Sequence, residues 1–270
     1  MSHFHKAALE VAREAAHKGA EILAAQYERY HVHGETMTVK TKSSMIDVVT
    51  ETDALAQKEI IAVIQKHYPD HRFLAEEEGA DTLGNPESPY VWIIDPLDGT
   101  QNFVHGKTVF GSIVGLMEND ALLLGAMELP LMNERYHGGI GLGAFYNDAP
   151  VKLRKTKDMT DAVLCCNISH RAKQLPDGTH YVTIPYCASI ENTGCAADEL
   201  GLILKGHTDG VFYDGVKLWD ICVGYVLLQE AGGKFAYTLK DPADLRSGLL
   251  SAASTLPIFD PLWEFVQTKL

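Results

Sequence analysis

Two aspartates three positions apart, Asp95 and Asp98, stand in the run Asp95-Pro-Leu-Asp-Gly-Thr-Gln-Asn-Phe. Carboxylates held this close repel each other unless one takes a proton or a cation lies between them. Ligands that are all oxygen favour a hard cation, Mg²⁺ ahead of Zn²⁺. Gly99 and Thr100 follow with backbone N–H groups at a predicted helix start, where an anion is favoured. A cation site beside an anion site is the combination used in metal-assisted phosphate chemistry. Taken alone, the same residues also describe a turn with solvated acids.

The elements around the run decide where those acids point. The apolar stretch Tyr90-Val-Trp-Ile-Ile94 predicts a buried strand, and Pro96 and Gly99 bend the chain just beyond it. Both acids therefore belong to a strand's carboxyl end, where open α/β sheets bind their ligands. Upstream, residues 4–29 have helical apolar spacing, residues 53–67 predict a second helix, and a short strand is expected at 72–75. Strands at 109–117 and 122–129 are joined by a turn at 118–120, and another is expected around 135–137. The second half alternates: strand 163–168, helix 196–206, strand 211–213, helix 221–231, short strands at 234–237 and 249–253, and a final helix at 258–268. Such alternation predicts an α/β layered fold. The break near 148–156 divides the chain into halves 1–150 and 151–270, read as subdomains of one compact unit.

Four blocks together resemble the inositol monophosphatase family of Mg²⁺-dependent, lithium-sensitive sugar phosphatases. They are Asp47-Val-Val-Thr-Glu-Thr-Asp53 preceded by Lys42-Ser-Ser, Glu76-Glu77 after Arg72-Phe-Leu-Ala, the Asp95–Thr100 run, and Trp219-Asp220 leading to Gly224 and Glu230-Ala-Gly-Gly233. The resemblance runs from about residue 5 to the C-terminus. It implies an αβαβα sandwich with the active site between its halves, most metal ligands in the first half, and Asp220 and substrate contacts in the second.

By that resemblance, Glu76, Asp95 and the Leu97 carbonyl hold one cation, and Asp95, Asp98 and Asp220 hold a second. A third, weaker Mg²⁺ belongs near Glu76. Two cations about 4 Å apart can bind both the attacking and the leaving oxygen of an in-line displacement. No Ser-His-Asp or Cys-His set is evident, so metal-activated water is the expected nucleophile. Thr100 and Asp53 resemble the pair that orients and deprotonates it, with Glu76 close by. Asp53 also reads as a helix cap, and Asp220 as both cap and ligand. Gly99, Thr100, Gly194 and Cys195 are expected around the phosphate. Asp220 is expected near the leaving oxygen. Lys42 reads equally as a loop residue closing over the metals and as a solvated lysine.

The expected reaction is hydrolysis of a small phosphate monoester, inositol monophosphate first. The same chemistry on 3′-phosphoadenosine 5′-phosphate, fructose 1,6-bisphosphate or histidinol phosphate is the alternative. Inositol-hydrolysing members carry an acid seven positions before the Trp-Asp aspartate; here that position is Tyr213, with Asp214 beside it. Strand alternation opposes an inward Asp214. A non-catalytic cation-binding protein is the reading from another class. However, Asp95–Gly99 lacks calcium-loop spacing, and such a protein has no use for Thr100 and Asp53. The segment 167–189 is shorter than in typical members, with a tight turn expected at Pro176-Asp-Gly178. In the family this region flanks the substrate pocket or the dimer interface.

Composition narrows the partners. The 270 residues carry a net charge of −13, which opposes binding to a nucleic-acid polymer. Five cysteines without a C-x-x-C pair read as free thiols in a reducing compartment. With no signal core and no stretch long enough to span a membrane, a cytoplasmic protein is expected. The resemblance adds a homodimer. The twelve histidines are scattered and read as surface groups, except His105, which closes the main motif.

Overall fold

The amphipathic pattern at the N-terminus becomes α1, His3–Tyr27, which runs on through one π-helical turn at Glu28–Val32. Helix α2, Glu51–His67, starts earlier than its apolar spacing indicates, because Thr50 is the N-cap and Asp53 closes a capping box. The computed structural model describes residues 3–41, 48–167, 173–181 and 183–270. Lys42, Asp47 and Ile168 lie outside them. Helices α1 and α2 pack through Ala8, Ala15, Ile60 and Ile64 on one face of a seven-stranded sheet.

That sheet runs in chain order: Arg72–Ala75, Tyr90–Asp98, Gly111–Glu118, Ala121–Leu129, Glu134–Gly139, Gly143–Tyr146 and Ala149–Pro150. Its first pair is parallel and the rest antiparallel. The expected turn at 118–120 is a two-residue hairpin, with Asn119 and Asp120 at φ 47° and 65°. Short helix α3, Thr100–Val104, follows the second strand after one residue.

Helices α4, Ala196–Leu204, and α5, Leu218–Glu230, cover the opposite face. Helix α5 also touches the second sheet, so it has apolar layers on both sides. Its sequence matches that position, being buried from Leu218 to Leu228 except at Asp220, as expected of a helix without a solvent face. The second sheet has the order Ser189–Glu191, Val163–Cys166, Gly210–Val216, Leu249–Ser254 and Lys234–Leu239. Helix α6, Leu256–Lys269, covers its outer face through Ile258, Leu262 and Val266. The layers therefore run αβαβα. The strand expected at 163–168 stops at Cys166. Pro176-Asp-Gly178 is a tight turn, joining Lys173–Gln174 to His180–Tyr181 with Gly178 N donating to Leu175 O at 3.0 Å.

One buried ion pair ties the first sheet to the end of α4. Lys205 Nζ donates to Glu134 Oε1 and Oε2 at 2.7 and 2.9 Å, and Tyr136 Oη donates to Oε2 at 2.5 Å. Lys205→Met should destabilise the protein by about 3–5 kcal/mol, because it leaves a buried carboxylate without its cation. Denaturant titration measures this. The double variant that adds Glu134→Gln should recover much of the loss.

Candidate active site

The strand Tyr90–Asp98 is buried from Val91 onward, and it ends in a bulge. Asp95 pairs with Ile113 and Asp98 with Gly111, so the stretch holds one residue more than its partner. Regular alternation would send residues three apart to opposite faces. The extra residue, next to Pro96 with its missing N–H, brings both acids to one side. The parallel neighbour supplies Glu76, whose N–H donates to Ile94 O at 3.1 Å. Helix α5 brings Asp220 in its first turn, where Lys217 N donates to Asp220 Oδ2 at 2.7 Å.

Helix α4 meets the same acids from the other side. Asp98 accepts Ala196 N and Ala197 N at 3.1 and 2.6 Å, and the Cys195 thiol donates to it at 3.0 Å. Gly99 has φ +85°, and an added Cβ would lie 3.1 Å from Val109 O and 3.2 Å from Cys195 Cβ. Only glycine fits both the backbone turn and that close approach.

These groups line one cavity of about 700 Å³. Its walls hold Glu76, Asp95, Leu97, Asp98, Gly99, Thr100, Gly194, Cys195, Tyr213 and Asp220, together with His105. Asp53 is the one expected site residue outside the lining. It lies beneath, fully buried, where it accepts the Thr100 hydroxyl at 3.3 Å while capping α2 through Thr50. The Thr100 hydroxyl also reaches Leu97 O at 3.0 Å. Capping and contact with Thr100 are thus both true of Asp53, since its two oxygens face different partners.

Burial pushes Asp53 up to about 7, against the hydrogen bonds from Thr50. It pushes Asp98 up to about 6, with the Ala197 and Ala196 N–H groups opposing. Asp95 and Asp220 are held well above the usual carboxylate range, first by burial and then by neighbouring acids. Asp95 interacts with both Glu76 and Asp220. Carboxylates this close repel one another unless a proton or a cation lies between them. No lysine or arginine lines the cavity among the described residues. Nor are three or more His, Cys, Asp or Glu side chains among them set out as a ready-made metal cage. The donor set of clustered, hard carboxylate oxygens nonetheless suits Mg²⁺.

The raised acids predict the pH dependence of metal-free stability. Between about pH 4 and 7 the native state binds more protons than the unfolded chain, so stability should fall as pH rises. Melting temperature in EDTA should be higher at pH 5 than at pH 8. Added Mg²⁺ should stabilise more at pH 8 than at pH 5, beyond the effect of NaCl at equal ionic strength.

Sequence reasoning missed Glu199, whose side chain lines the cavity beyond Cys195. Burial pushes it up to about 7, with bonds from Tyr213 and Thr193 opposing. Its spacing was the available signal, since it lies one helical turn after Cys195 on the same face of α4. Tyr213 faces the cavity, whereas Asp214 turns out to Lys240 at 2.6 Å, as alternation requires.

Comparison with known proteins gives one consistent result. A family model described as the inositol monophosphatase family matches residues 6–264. An inositol-1-monophosphatase of Synechocystis is 32% identical over 251 residues, 91% of this chain and 84% of that protein. A fructose-1,6-bisphosphatase/inositol-1-monophosphatase of Aquifex aeolicus is 34% identical over 236 residues, 86% of this chain and 85% of that one. The extragenic suppressor protein suhB of Bartonella henselae superposes with a TM-score of 0.80 at 25% identity, covering 98% of this chain and all of that one.

Proposed function

Because the chain belongs to the inositol monophosphatase family, whose members are Mg²⁺-dependent phosphoric monoester hydrolases, we propose that this cavity hydrolyses a small polyol phosphate, inositol monophosphate among its substrates. The observation that carries the reading is convergence. Acids from three distant blocks, Glu76, Asp95 with Asp98, and Asp220, meet in one cavity, and a threonine hydroxyl on its wall is backed by a buried acid of the fourth block that is not itself on that wall.

Glu76, Asp95, the Leu97 carbonyl, Asp98 and Asp220 would hold two or three Mg²⁺. Bound there, the cations supply positive charge for the phosphate oxygens and lower the pKa of water. The Thr100 hydroxyl orients the attacking water, and Asp53 behind it draws the proton away, a transfer typically worth ~10²–10⁴-fold. The phosphate lies against the N–H groups of Gly99 and Thr100, with Gly194 and Cys195 on the facing wall. Asp220 positions a water that returns a proton to the leaving alkoxide. We assign these steps to residues 1–150, which carry most of the acids, and 151–270, which carry Asp220 and the alcohol contacts. A cytoplasmic homodimer is part of the proposal, supported by the resemblance and by five thiols with no disulfide among them. Among the described residues no helix is long and apolar enough to cross a membrane.

Release of inorganic phosphate from a panel of monoesters, with Mg²⁺ and with EDTA, tests the reading. The panel holds inositol 1-phosphate, 3′-phosphoadenosine 5′-phosphate, fructose 1,6-bisphosphate and histidinol phosphate. We expect Mg²⁺-dependent release, with inositol phosphate accepted but favoured by less than about a hundredfold, roughly 2.7 kcal/mol. No release from any ester overturns it.

A further inference from the structure

Asn102, on α3, belongs to the same run as the central acids, yet the phosphate chemistry leaves it without a task. It is only 3% exposed and lies behind the cavity wall. Its Nδ2 donates to Val109 O and to Thr193 O, each at 2.8 Å. Carbonyl oxygens only accept, so both amide hydrogens are committed and the amide has one orientation. The two carbonyls belong to opposite walls. Val109 O packs against Gly99, where an added Cβ would lie 3.1 Å from it. Thr193 O shares a planar peptide with Gly194 N–H, and a Cβ added at Gly194 would lie 3.4 Å from Asn102 Oδ1.

Residues 192–195 connect the strand Ser189–Glu191 to α4, outside any sheet ladder, so side chains must satisfy their backbone groups. Glu199 does this from α4, accepting Thr193 N at 2.9 Å and Gly194 N as well. Asn102 reaches the same peptide from the first half of the chain. Asp98 also crosses over, to Cys195, Ala196 and Ala197, but that acid is assigned to a cation. Asn102 carries no charge and holds its two carbonyls whether or not metal is bound.

We propose that Asn102 is a positioning residue for the phosphate: by holding Val109 O and Thr193 O on one nitrogen, it fixes the gap between the Gly99–Thr100 wall and the Gly194–Cys195 wall. The inference rests on the phosphatase reading above, which places phosphate between those walls. A planar amide sets the angle between its acceptors as well as their distance, so the walls cannot part or slide while both bonds hold. Groups preorganised around a phosphoryl group lose most of their effect when misplaced by about 1 Å.

Isothermal titration calorimetry tests this with two probes, Mg²⁺ alone and inorganic phosphate at saturating Mg²⁺. Asn102→Asp keeps the shape but has at most one proton to offer two carbonyls, and Asn102→Ala removes the tie altogether. In both, the Kd for phosphate should rise about tenfold or more. The Mg²⁺ titration should not move, because the amide bonds to none of the oxygens assigned to the cations. The kcat/KM for inositol 1-phosphate should fall about a hundredfold. Lys205→Met, which loosens the same two halves away from the cavity, should lower the melting temperature and leave the phosphate Kd unchanged. A purely structural Asn102 would behave the same way, so an unchanged phosphate Kd in its variants overturns the inference. An equal loss of Mg²⁺ affinity overturns it too, by making Asn102 a support for the metal ligands. If Asn102→Asp does not fold, Asn102→Ala decides. If the unmodified protein binds phosphate with Mg²⁺ but releases none from any ester, the phosphatase reading falls while this inference stands. Absence of phosphate binding by the unmodified protein overturns the inference.

Discussion

Asp95→Asn should nearly abolish turnover while leaving the fold intact. Asp95 is the acid in contact with both Glu76 and Asp220, so it is the one group that links the first sheet's ligands to the one on α5. The asparagine keeps the oxygen that accepts Leu97 N at 3.0 Å, so the bulge that shapes the strand end survives. It loses one negative charge and one acceptor oxygen at the centre of the cluster. Charge preorganised around a phosphoryl group is the main catalytic resource of such a site, and removing a single element of it costs ~10²–10³-fold. With the bridging ligand itself gone we expect at least that upper value in kcat at saturating Mg²⁺. The metal-free variant should melt no lower than the parent, because one buried acid no longer repels its neighbours. Steady-state rates and thermal melts measure both. Near-normal kcat at saturating Mg²⁺ would remove Asp95 from this position.

Thr100→Ala should lower kcat by ~10²–10⁴-fold with little change in Mg²⁺ affinity. Alanine keeps the Thr100 backbone N–H and loses only the hydroxyl between Asp53 and the Leu97 carbonyl. The hydroxyl is not among the oxygens assigned to the cations, so metal titrations should superimpose on those of the parent. Thr100→Ser restores the hydroxyl and should recover most of the rate. A large loss of Mg²⁺ affinity with kcat unchanged would make Thr100 a support for the metal ligands instead of a group on the path of the proton.

The layered fold was legible because its buried elements are long and one-sided or wholly apolar. Tyr90–Ile94 reads as a buried strand, and Ile221–Leu228 as a helix with no wet face. Most of the candidate site was legible as well, since its acids sit where such elements end. The arrangement between the acids was not. Nothing local announces that a bulge turns Asp95 and Asp98 to one side, because that follows from their pairing with Ile113 and Gly111 of the next strand. From its own surroundings Asp53 reads as a cap, and as the partner of Thr100 only by resemblance; the fold brings Thr100 to its other oxygen, and its helix starts earlier than apolar spacing alone indicates. Glu199 stayed hidden because its partner Tyr213 comes from a different strand, and its spacing from Cys195 names no partner by itself. Tyr213 against Asp214 was decidable, because the period of a strand is two whatever surrounds it.

The position of α5 between two sheets has a consequence for how the protein becomes active. The seven strands of the first sheet follow one another in sequence, so that half can assemble through mostly short-range contacts. Asp220 enters the cluster only when α5 is enclosed on both sides, which requires segments more than a hundred residues apart to meet. During refolding, helical and strand signals should therefore return well ahead of phosphate release, and the interval between them times the docking of the halves.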